Sequence, residues 1–224
     1  MLLCASVLTS PPPLLHWFLG RRSLHTRGQA VAVVTFSRQL GSAGTWIARQ
    51  VAQSLGYRFL DRQLAYAAAS RVGAPEMALE QIDELRLLQL APTANAYAAY
   101  MEALRTLVRE AAAQGEVVIV GKGGQAILHE LPDVLHILVI APLDVRIQRV
   151  TEEKQVTRAG AERLVDASDR RRASFLRVQH GVDWMDPRLY SLVINTGLIK
   201  PIAAVHLVLD AVHSLETDIS QGRQ

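Results

Sequence analysis

Short, mostly apolar segments alternate along this chain with longer segments of helical spacing, and this alternation restricts the fold more than any other feature. The apolar segments occupy residues 31–36, 57–60, 116–121, 135–141 and 189–195. Strands that alternate with helices pair in parallel through right-handed crossovers, and helices cover both faces of their sheet. The sequence therefore predicts an α/β fold with a parallel five-stranded sheet flanked by helices.

The segments between the strands have apolar positions that recur as on one face of a helix. The first begins after the first strand and ends at Gly56, a typical helix C-terminus. Residues 62–113 are helical in character, with breaks predicted at Pro75 and Pro92. A closing helix is predicted from apolar positions between Ile202 and Val212.

The turn after the first strand contains two glycines and leads into a helix. Glycine lets the backbone approach an anion, and a helix start offers unpaired N–H groups and a positive dipole end. The turn therefore predicts a phosphate-binding site, although a tight connection without a ligand has the same local pattern. Its candidate residues are Ser37, Arg38, Gly41, Ser42, Ala43, Gly44 and Thr45.

The same turn departs from the usual phosphate-loop pattern G-x-x-x-x-G-K-S/T. Arg38 and Ala43 occupy the two glycine positions, and Gly44 occupies the lysine position. Thr45 is retained, and its hydroxyl is a candidate ligand of Mg²⁺. The turn thus contains glycines and the threonine, as a phosphate loop does, but lacks its usual lysine.

A second glycine-rich turn, Gly121-Lys122-Gly123-Gly124, follows the third apolar segment. In parallel sheets ligands bind beyond the carboxyl ends of the strands, so this turn is expected near the first one. A cation among glycines suits an anionic ligand. A simple loop with a solvated Lys122 is the alternative.

A third candidate lies in the strongly charged segment 152–177. Asp166, Asp169 and Arg172 follow each other at three-residue spacing, which places them on neighbouring positions of one helical face. Guanidinium groups bind phosphoryl oxygens bidentately. The alternative is a solvated helix with ion pairs between successive turns. Further arginines of this segment are Arg170, Arg171 and Arg177.

Together these features resemble the cytidylate kinase-like family of the P-loop nucleoside-monophosphate kinases, over about residues 30–215. Ser37-Arg-Gln-x-Gly-Ser-x-Gly is similar to the phosphate loop of that family, which itself lacks the lysine. The other matching motifs are Leu55-Gly-Tyr-Arg-Phe-Leu-Asp61, Val118-Ile-Val-Gly-Lys-Gly-Gly124, Asp169-x-x-Arg172 and Asp183-Trp-x-Asp-Pro-x-x-Tyr-x-Leu-Val-Ile-Asn-Thr196.

The resemblance implies transfer of the γ-phosphoryl group of ATP, with Mg²⁺, to a nucleoside monophosphate such as CMP or dCMP. It implies that residues 37–45 hold the donor phosphates and that Thr45 contacts Mg²⁺. Asp61 and the turn of Gly121, Lys122 and Gly123 would lie near the acceptor. A lid over the transferring group would carry Arg146, Asp169 and Arg172 as catalytic residues.

The departures from the family pattern leave a second hypothesis open. The lysine is missing, Ala43 replaces a glycine, and Ala67 stands where cytidylate kinases carry an arginine. A nucleotide-binding regulatory module with weak or no catalysis is therefore the alternative to an active kinase. A dinucleotide-dependent hydride transfer is not favoured, because no G-x-G-x-x-G follows the first strand.

The amino-acid composition limits the classes of partner and of cellular setting that fit this chain. The 224 residues carry a formal net charge of +3, and this small excess favours small-molecule nucleotides over nucleic acid. The single Cys4 excludes an internal disulfide framework and indicates a reducing, cytoplasmic setting. The histidines show no metal-binding spacing on a helix.

We expect one nucleoside-monophosphate-kinase-like domain over residues 30–216, with an acceptor-binding insertion at about 62–113 and a lid at about 150–182. Residues 217–224 are expected to form a tail. Residues 1–29 are expected to be a disordered or wrongly assigned N-terminal extension, with an organelle transit peptide as the alternative. Prolines interrupt its apolar stretch, so no membrane span is predicted. The oligomeric state stays open.

Overall fold

The computed structural model describes residues 32–73 and 94–221, in which the five predicted strands form one parallel sheet. The strand order is β2-β3-β1-β4-β5, and the prediction of the fold class is confirmed. The strands are β1 (Val33–Arg38), β2 (Arg58–Leu60), β3 (Val117–Val120), β4 (Val134–Ile140) and β5 (Leu192–Asn195).

Helices connect these strands and cover both faces of the sheet. They are α1 (Gly44–Leu55), α2 (Arg62–Arg71), α3 (Ala94–Ala113), α4 (Gly124–Ile127), α5 (Leu143–Lys154), α6 (Arg158–His180) and α7 (Pro201–Ser220). Helix α1 ends at Gly56, whose φ of 72° is left-handed as expected of such a cap. Helix α7 continues past the boundary predicted at residue 216.

The last strand is shorter than the sequence predicts. Residues 187–189 form a 3-10 turn, and β5 begins only at Leu192. The Asp186 carboxylate accepts a hydrogen bond from the backbone N–H of Arg188, and Pro187 fits the first position of the turn. This local cap competes with extended structure.

Some predictions fall outside the described residues. They concern residues 1–29, the helix breaks at Pro75 and Pro92, and the end of the C-terminal tail. Within the described part of the chain, no helix is long and apolar enough to cross a membrane.

The central strands are buried on both faces, which explains their continuous apolar sequences. Val118 and Val120 of β3 pack with α1 and α7, whereas Val117 and Ile119 pack with α2 and α3. Helix α5 packs on α6 through a smaller apolar cluster that includes Ile147. The two-sided core fixes the carboxyl ends of the strands, where the candidate site lies.

One polar pair lies inside this core. Thr35 of β1 faces His136 of β4, and 2.6 Å separates Thr35 Oγ1 from His136 Nδ1. His136 is only 6% exposed. Burial, with a smaller contribution from the charge of His129, lowers the pKa of His136 to about 4.

His136 should make the protein less stable in acid. Between the unfolded pKa of 6.5 and the folded pKa of about 4, the unfolded chain binds a proton that the native protein does not. The free energy of unfolding should therefore fall by up to about 1.4 kcal/mol for each pH unit in this window. Urea unfolding from pH 7 to pH 4 measures the slope, and His136→Gln should flatten it. Equal slopes in both proteins would contradict the burial of a neutral histidine.

Candidate active site at the strand ends

The candidate residues meet at the carboxyl end of the central strand β1. The turn after β3 is joined to β1 through Gly121 N–H, which donates to the Phe36 carbonyl at 2.8 Å. The end of β4 is joined to the turn after β1 through Gln39 N–H, which donates to the Val139 carbonyl at 3.0 Å. A crevice at this position is where open α/β sheets bind ligands.

The turn after β1 presents the start of α1 without a side-chain cap. Ala43 holds the cap position with a left-handed φ of 63°, and its side chain has no acceptor. The first amides of α1 have no intrahelical partners and carry the positive end of the helix dipole. Ser42 does not point outward, because its hydroxyl donates to the Gln39 carbonyl at 2.8 Å. The backbone of this turn is therefore the part suited to an anion.

Helix α5 holds the turn in place. A Cβ on Gly41 would lie 2.6 Å from the Arg146 carbonyl oxygen, so only glycine permits this contact. Arg149 donates to the Gly41 carbonyl at 3.2 Å and to the Thr196 carbonyl at 2.9 Å. The Thr196 hydroxyl donates in turn to the Ser42 carbonyl at 2.8 Å. The turn is thus fastened to α5 and to the end of β5.

Sequence reasoning missed the role of Arg149 and Thr196. Arg149 follows Arg146 by one helical turn, and Thr196 ends the motif that begins at Asp183. Neither position has a spacing that distinguishes a fastening residue from an ordinary one. Only the packing of α5 on the turn gives them this role.

A cleft of about 770 Å³ opens beside the turn, a volume typical of small-molecule sites. Its walls are the turn itself, the first turns of α1, and parts of α5 and α6. Its charged lining residues are Arg38, Arg49, Arg149, Arg172, Glu152 and Glu153. The arginines outnumber the glutamates by two, so the cleft favours an anionic ligand.

Arg38 crosses the inner wall of this cleft. Its Nε donates to Thr45 Oγ1 at 3.2 Å, and its Nη2 lies 3.7 Å from Asp61 Oδ1 at the end of β2. Asp61, an acceptor candidate, thereby also contacts a side chain of the phosphate-binding candidates. Arg38 thus connects the end of β1 to the end of β2.

The turn after β3 is strongly curved. Gly121, Lys122 and Gly123 have left-handed φ values of 73°, 57° and 71°. Lys122 is 4% exposed, so it is not the solvated lysine of a simple loop. His180 at the end of α6 covers the turn, since a Cβ on Gly123 would lie 2.7 Å from His180 Nε2. Burial lowers the pKa of His180.

The structure separates the three predicted lid residues into two groups. Arg146 is buried and donates to Asp169 Oδ2 at 2.7 Å and to the Ala141 carbonyl at 3.1 Å. This pair joins α5 to α6. Arg172 lies one turn further along α6, lines the cleft, and sits 5.2 Å from the centre of the Trp184 ring. A cation over an indole ring is held electrostatically.

Tyr190 forms a further polar contact at the end of β1 that the candidate set lacked. Its hydroxyl donates to the Trp184 carbonyl at 2.6 Å and hydrogen-bonds with the Ser37 side chain. Burial raises the pKa of Tyr190. Ser37 is buried and thus anchors the segment after α6. Its contact with Tyr190 was not predicted from the sequence.

The protein residues fit a Mg²⁺ ion only together with a phosphate ligand. Among residues 32–73 and 94–221, no cluster of three or more His, Cys, Asp or Glu side chains could hold a metal ion. Mg²⁺ commonly uses one or two protein oxygens, with substrate phosphates and water completing its six ligands. The Thr45 hydroxyl accepts from Arg38 and keeps one further lone pair.

Comparison with solved structures defines the class of fold. An uncharacterised protein from Eubacterium ventriosum superposes with a TM-score of 0.65 at 18% identity, covering 82% of this chain and 99% of that one. A shikimate kinase from Bacteroides thetaiotaomicron gives a TM-score of 0.52 at 13% identity, covering 82% of this chain and 99% of that chain. The chain therefore shares its fold with these two proteins, one of which is a kinase.

The sequence comparison identifies the family. Residues 33–198 match the model of the cytidylate kinase-like family, and the chain belongs to this family. Cytidylate kinases from Halobacterium salinarum and Sulfolobus acidocaldarius are 29% and 31% identical over 37% and 44% of this chain. These alignments span 43% and 54% of the two relatives. A cytidylate kinase from Ignicoccus hospitalis is 25% identical over 80% of this chain and 97% of its own length.

The left-handed alanine in the phosphate loop predicts an unusual stability effect. Ala43→Gly should stabilise the protein by up to about 1 kcal/mol, because glycine removes the steric cost of this conformation. Ala99→Gly, at an exposed position of α3, should instead cost about 0.5–1 kcal/mol. Chemical unfolding of both variants measures the difference. Equal losses of stability would show that Ala43 is not strained.

Proposed function

We propose that this chain transfers the γ-phosphoryl group of ATP to a nucleoside monophosphate, with CMP or dCMP as the leading acceptors. The family and the fold support a phosphotransfer function. One observation carries the proposal: an uncapped helix start faces an arginine-lined cleft at the end of the central strand. Phosphoryl transfer needs this combination of positioning and charge neutralisation more than it needs covalent chemistry.

The donor phosphates are assigned to the turn after β1. The amides at the start of α1 offer directed N–H donors, and Arg38 and Arg172 bring positive charge to the same cleft. Arg149 supports the binding indirectly, because its hydrogen bonds fix the carbonyl of Gly41. The donor side is thus rigid before any ligand arrives, which reduces the entropic cost of binding.

The acceptor is assigned to the ends of β2 and β3. These two strands pair directly, with Leu60 opposite Ile119, so Asp61 and the turn at Lys122 follow neighbouring strands. A buried lysine suits a monophosphate, since electrostatic contacts with phosphate oxygens are stronger away from water. The preference for a cytidine base rests on the names of the relatives.

Mg²⁺ is proposed to enter with ATP and to neutralise phosphate charge. Thr45 is the protein group proposed to touch it. Arg146 and Asp169 are proposed to position α6 through their ion pair, while Arg172 contacts the transferring group.

A nucleotide-binding module with weak or no turnover is the second candidate. The ion pair of Arg146 with Asp169 favours it, because Arg146 donates to Asp169 and to the Ala141 carbonyl instead of to a ligand. Both candidates bind ATP, and only the kinase converts it to ADP at an ordinary rate.

A panel of acceptors distinguishes the candidates. Purified protein with ATP and Mg²⁺ should form ADP when CMP or dCMP is added, and less with UMP, AMP or GMP. Shikimate serves as a control acceptor from the wider fold. ATP binding by calorimetry without ADP formation would favour the binding module. If the protein neither binds ATP nor forms ADP, both candidates are contradicted.

Arg172 should matter to catalysis more than its neighbours on α6. Arg172→Ala should lower the rate of ADP formation at least about tenfold, because it removes a charge aimed at the transferring group. Arg163→Ala is the matched control, since residue 163 is exposed and lies on the opposite face of the same helix. Equal rates for the two variants would remove Arg172 from the catalytic set.

The cytoplasmic location, the absence of a nucleic-acid partner and the domain boundaries stay predictions from the sequence. The assignment of the acceptor and lid segments follows the same family pattern.

A further inference from the structure

The charge that the phosphate loop lacks at its lysine position is present at another position of the same loop. In the usual pattern the lysine precedes the serine or threonine and reaches the donor phosphates. This chain has Gly44 there and carries Arg38 at the position of the first glycine. The loss of the lysine and the gain of the arginine are either two independent changes or one coupled change. Their geometry decides between these possibilities.

A side chain at position 44 would occupy the same space as the start of the Arg38 side chain. A Cβ on Gly44 would lie 2.4 Å from Arg38 Cβ and 3.1 Å from Arg38 Cγ. Two carbon atoms do not approach to 2.4 Å, and the nearer atom belongs to the rigid start of the arginine side chain. Any residue with a Cβ at position 38, arginine included, therefore excludes a side chain at position 44. The third close atom, Val139 Cβ at 3.1 Å, needs only a small adjustment.

The guanidinium of Arg38 is oriented but incompletely satisfied. Thr45 Oγ1 holds Nε at 3.2 Å, and Asp61 lies 3.7 Å from Nη2. Nη1 is buried and has no hydrogen-bond partner among the residues that the structure describes. A buried N–H of a charged group without a partner costs free energy unless a ligand supplies the acceptor. Since Arg38 lines the cleft, a ligand oxygen is the natural acceptor.

Arg149, another arginine of the cleft, has its donors engaged elsewhere. It gives its hydrogen bonds to the carbonyls of Gly41 and Thr196 and to the Thr196 hydroxyl. These bonds hold the loop in place and turn the guanidinium group of Arg149 toward the protein. Arg38 is therefore better placed than Arg149 to meet phosphate oxygens.

We propose that Arg38 takes the place of the phosphate-loop lysine, and that Gly44 is glycine because this arginine occupies the lysine's space. The inference rests on the proposed function, in which the cleft binds ATP. A guanidinium stays charged and can bind two phosphate oxygens at once, so its substitution for an ammonium preserves the charge and adds direction. Thr45 and Asp61 hold the group in that direction.

A pair of substitutions at position 38 separates charge from packing. Arg38→Met keeps the aliphatic stem over Gly44 and removes the charged head, and Arg38→Lys keeps a charge. Calorimetry with Mg²⁺ uses ATP and inorganic tripolyphosphate as probes. Arg38→Met should weaken binding of both probes at least about tenfold, as expected for a lost charge-assisted hydrogen bond. Arg38→Lys should stay within about threefold of the wild type.

The control is Arg71→Met, which removes an exposed arginine paired with Glu110 on α3. It should bind both probes as the wild type does. Tripolyphosphate binding by Arg38→Met that equals the wild type would overturn the proposal. If the wild type binds neither probe, the proposed function fails first, and the role of Arg38 falls with it.

Relocation of the charge tests the coupling of the two positions. Gly44→Lys alone should lower the melting temperature and abolish ATP binding, because Arg38 fills the space. The triple change Arg38→Gly, Ala43→Gly and Gly44→Lys completes the usual loop pattern and should restore ATP binding to within about threefold of the wild type. A triple variant that melts like the wild type yet binds no ATP would overturn the proposal. If the triple variant does not fold, the comparison of Arg38→Met with Arg38→Lys decides alone.

Discussion

The contact between Gly41 and the backbone of α5 sets the geometry of the whole site. Because no side chain separates them, the turn after β1 rests directly on the Arg146 carbonyl. Arg149, three residues further along the same helix, then reaches the carbonyl of Gly41. A larger residue at 41 would move the turn away from α5 and open the wall of the cleft. The helix start and the cleft depend on this single close approach.

Three arginines of the site come from different parts of the chain, and each is held by a different group. Arg38 is held by Thr45 and Asp61, Arg149 by the carbonyls of the turn, and Arg172 by the ring of Trp184. Their charges are thus fixed before a ligand binds. Preorganised charge of this kind stabilises a transition state without reorganisation during the reaction. A chain without the usual lysine can in this way still present a cleft with an excess of positive charge.

Local patterns in the sequence predicted the sheet, the first helix with its glycine cap, and the position of the turns at the strand ends. These features depend on periodicity and on glycine, which are visible in a window of a few residues. The sequence also marked Arg38 and Gly44 as departures from the usual loop pattern. It could not show that they exclude each other, because that depends on 2.4 Å between two Cβ positions.

Long-range contacts account for the other differences between sequence and structure. Arg146 and Asp169 are far apart in the chain and were grouped with Arg172 by their family pattern, but they pair with each other where α5 packs on α6. A solvated loop was the alternative to an anion-binding turn at Lys122, and the structure shows this lysine buried beside the cover from α6. Such contacts are decided by the arrangement of helices, which a single sequence specifies only indirectly.

The most direct test follows the backbone amides of the turn during a nucleotide titration, by two-dimensional nuclear magnetic resonance of ¹⁵N-labelled protein. If the turn holds the donor phosphates, ATP with Mg²⁺ should shift the amide signals of Gly41, Ala43, Gly44 and Thr45, and CMP should shift those of Asp61 and the turn at Lys122. Unchanged signals from residues 41–45 at saturating ATP would contradict the assignment of this turn as the phosphate site.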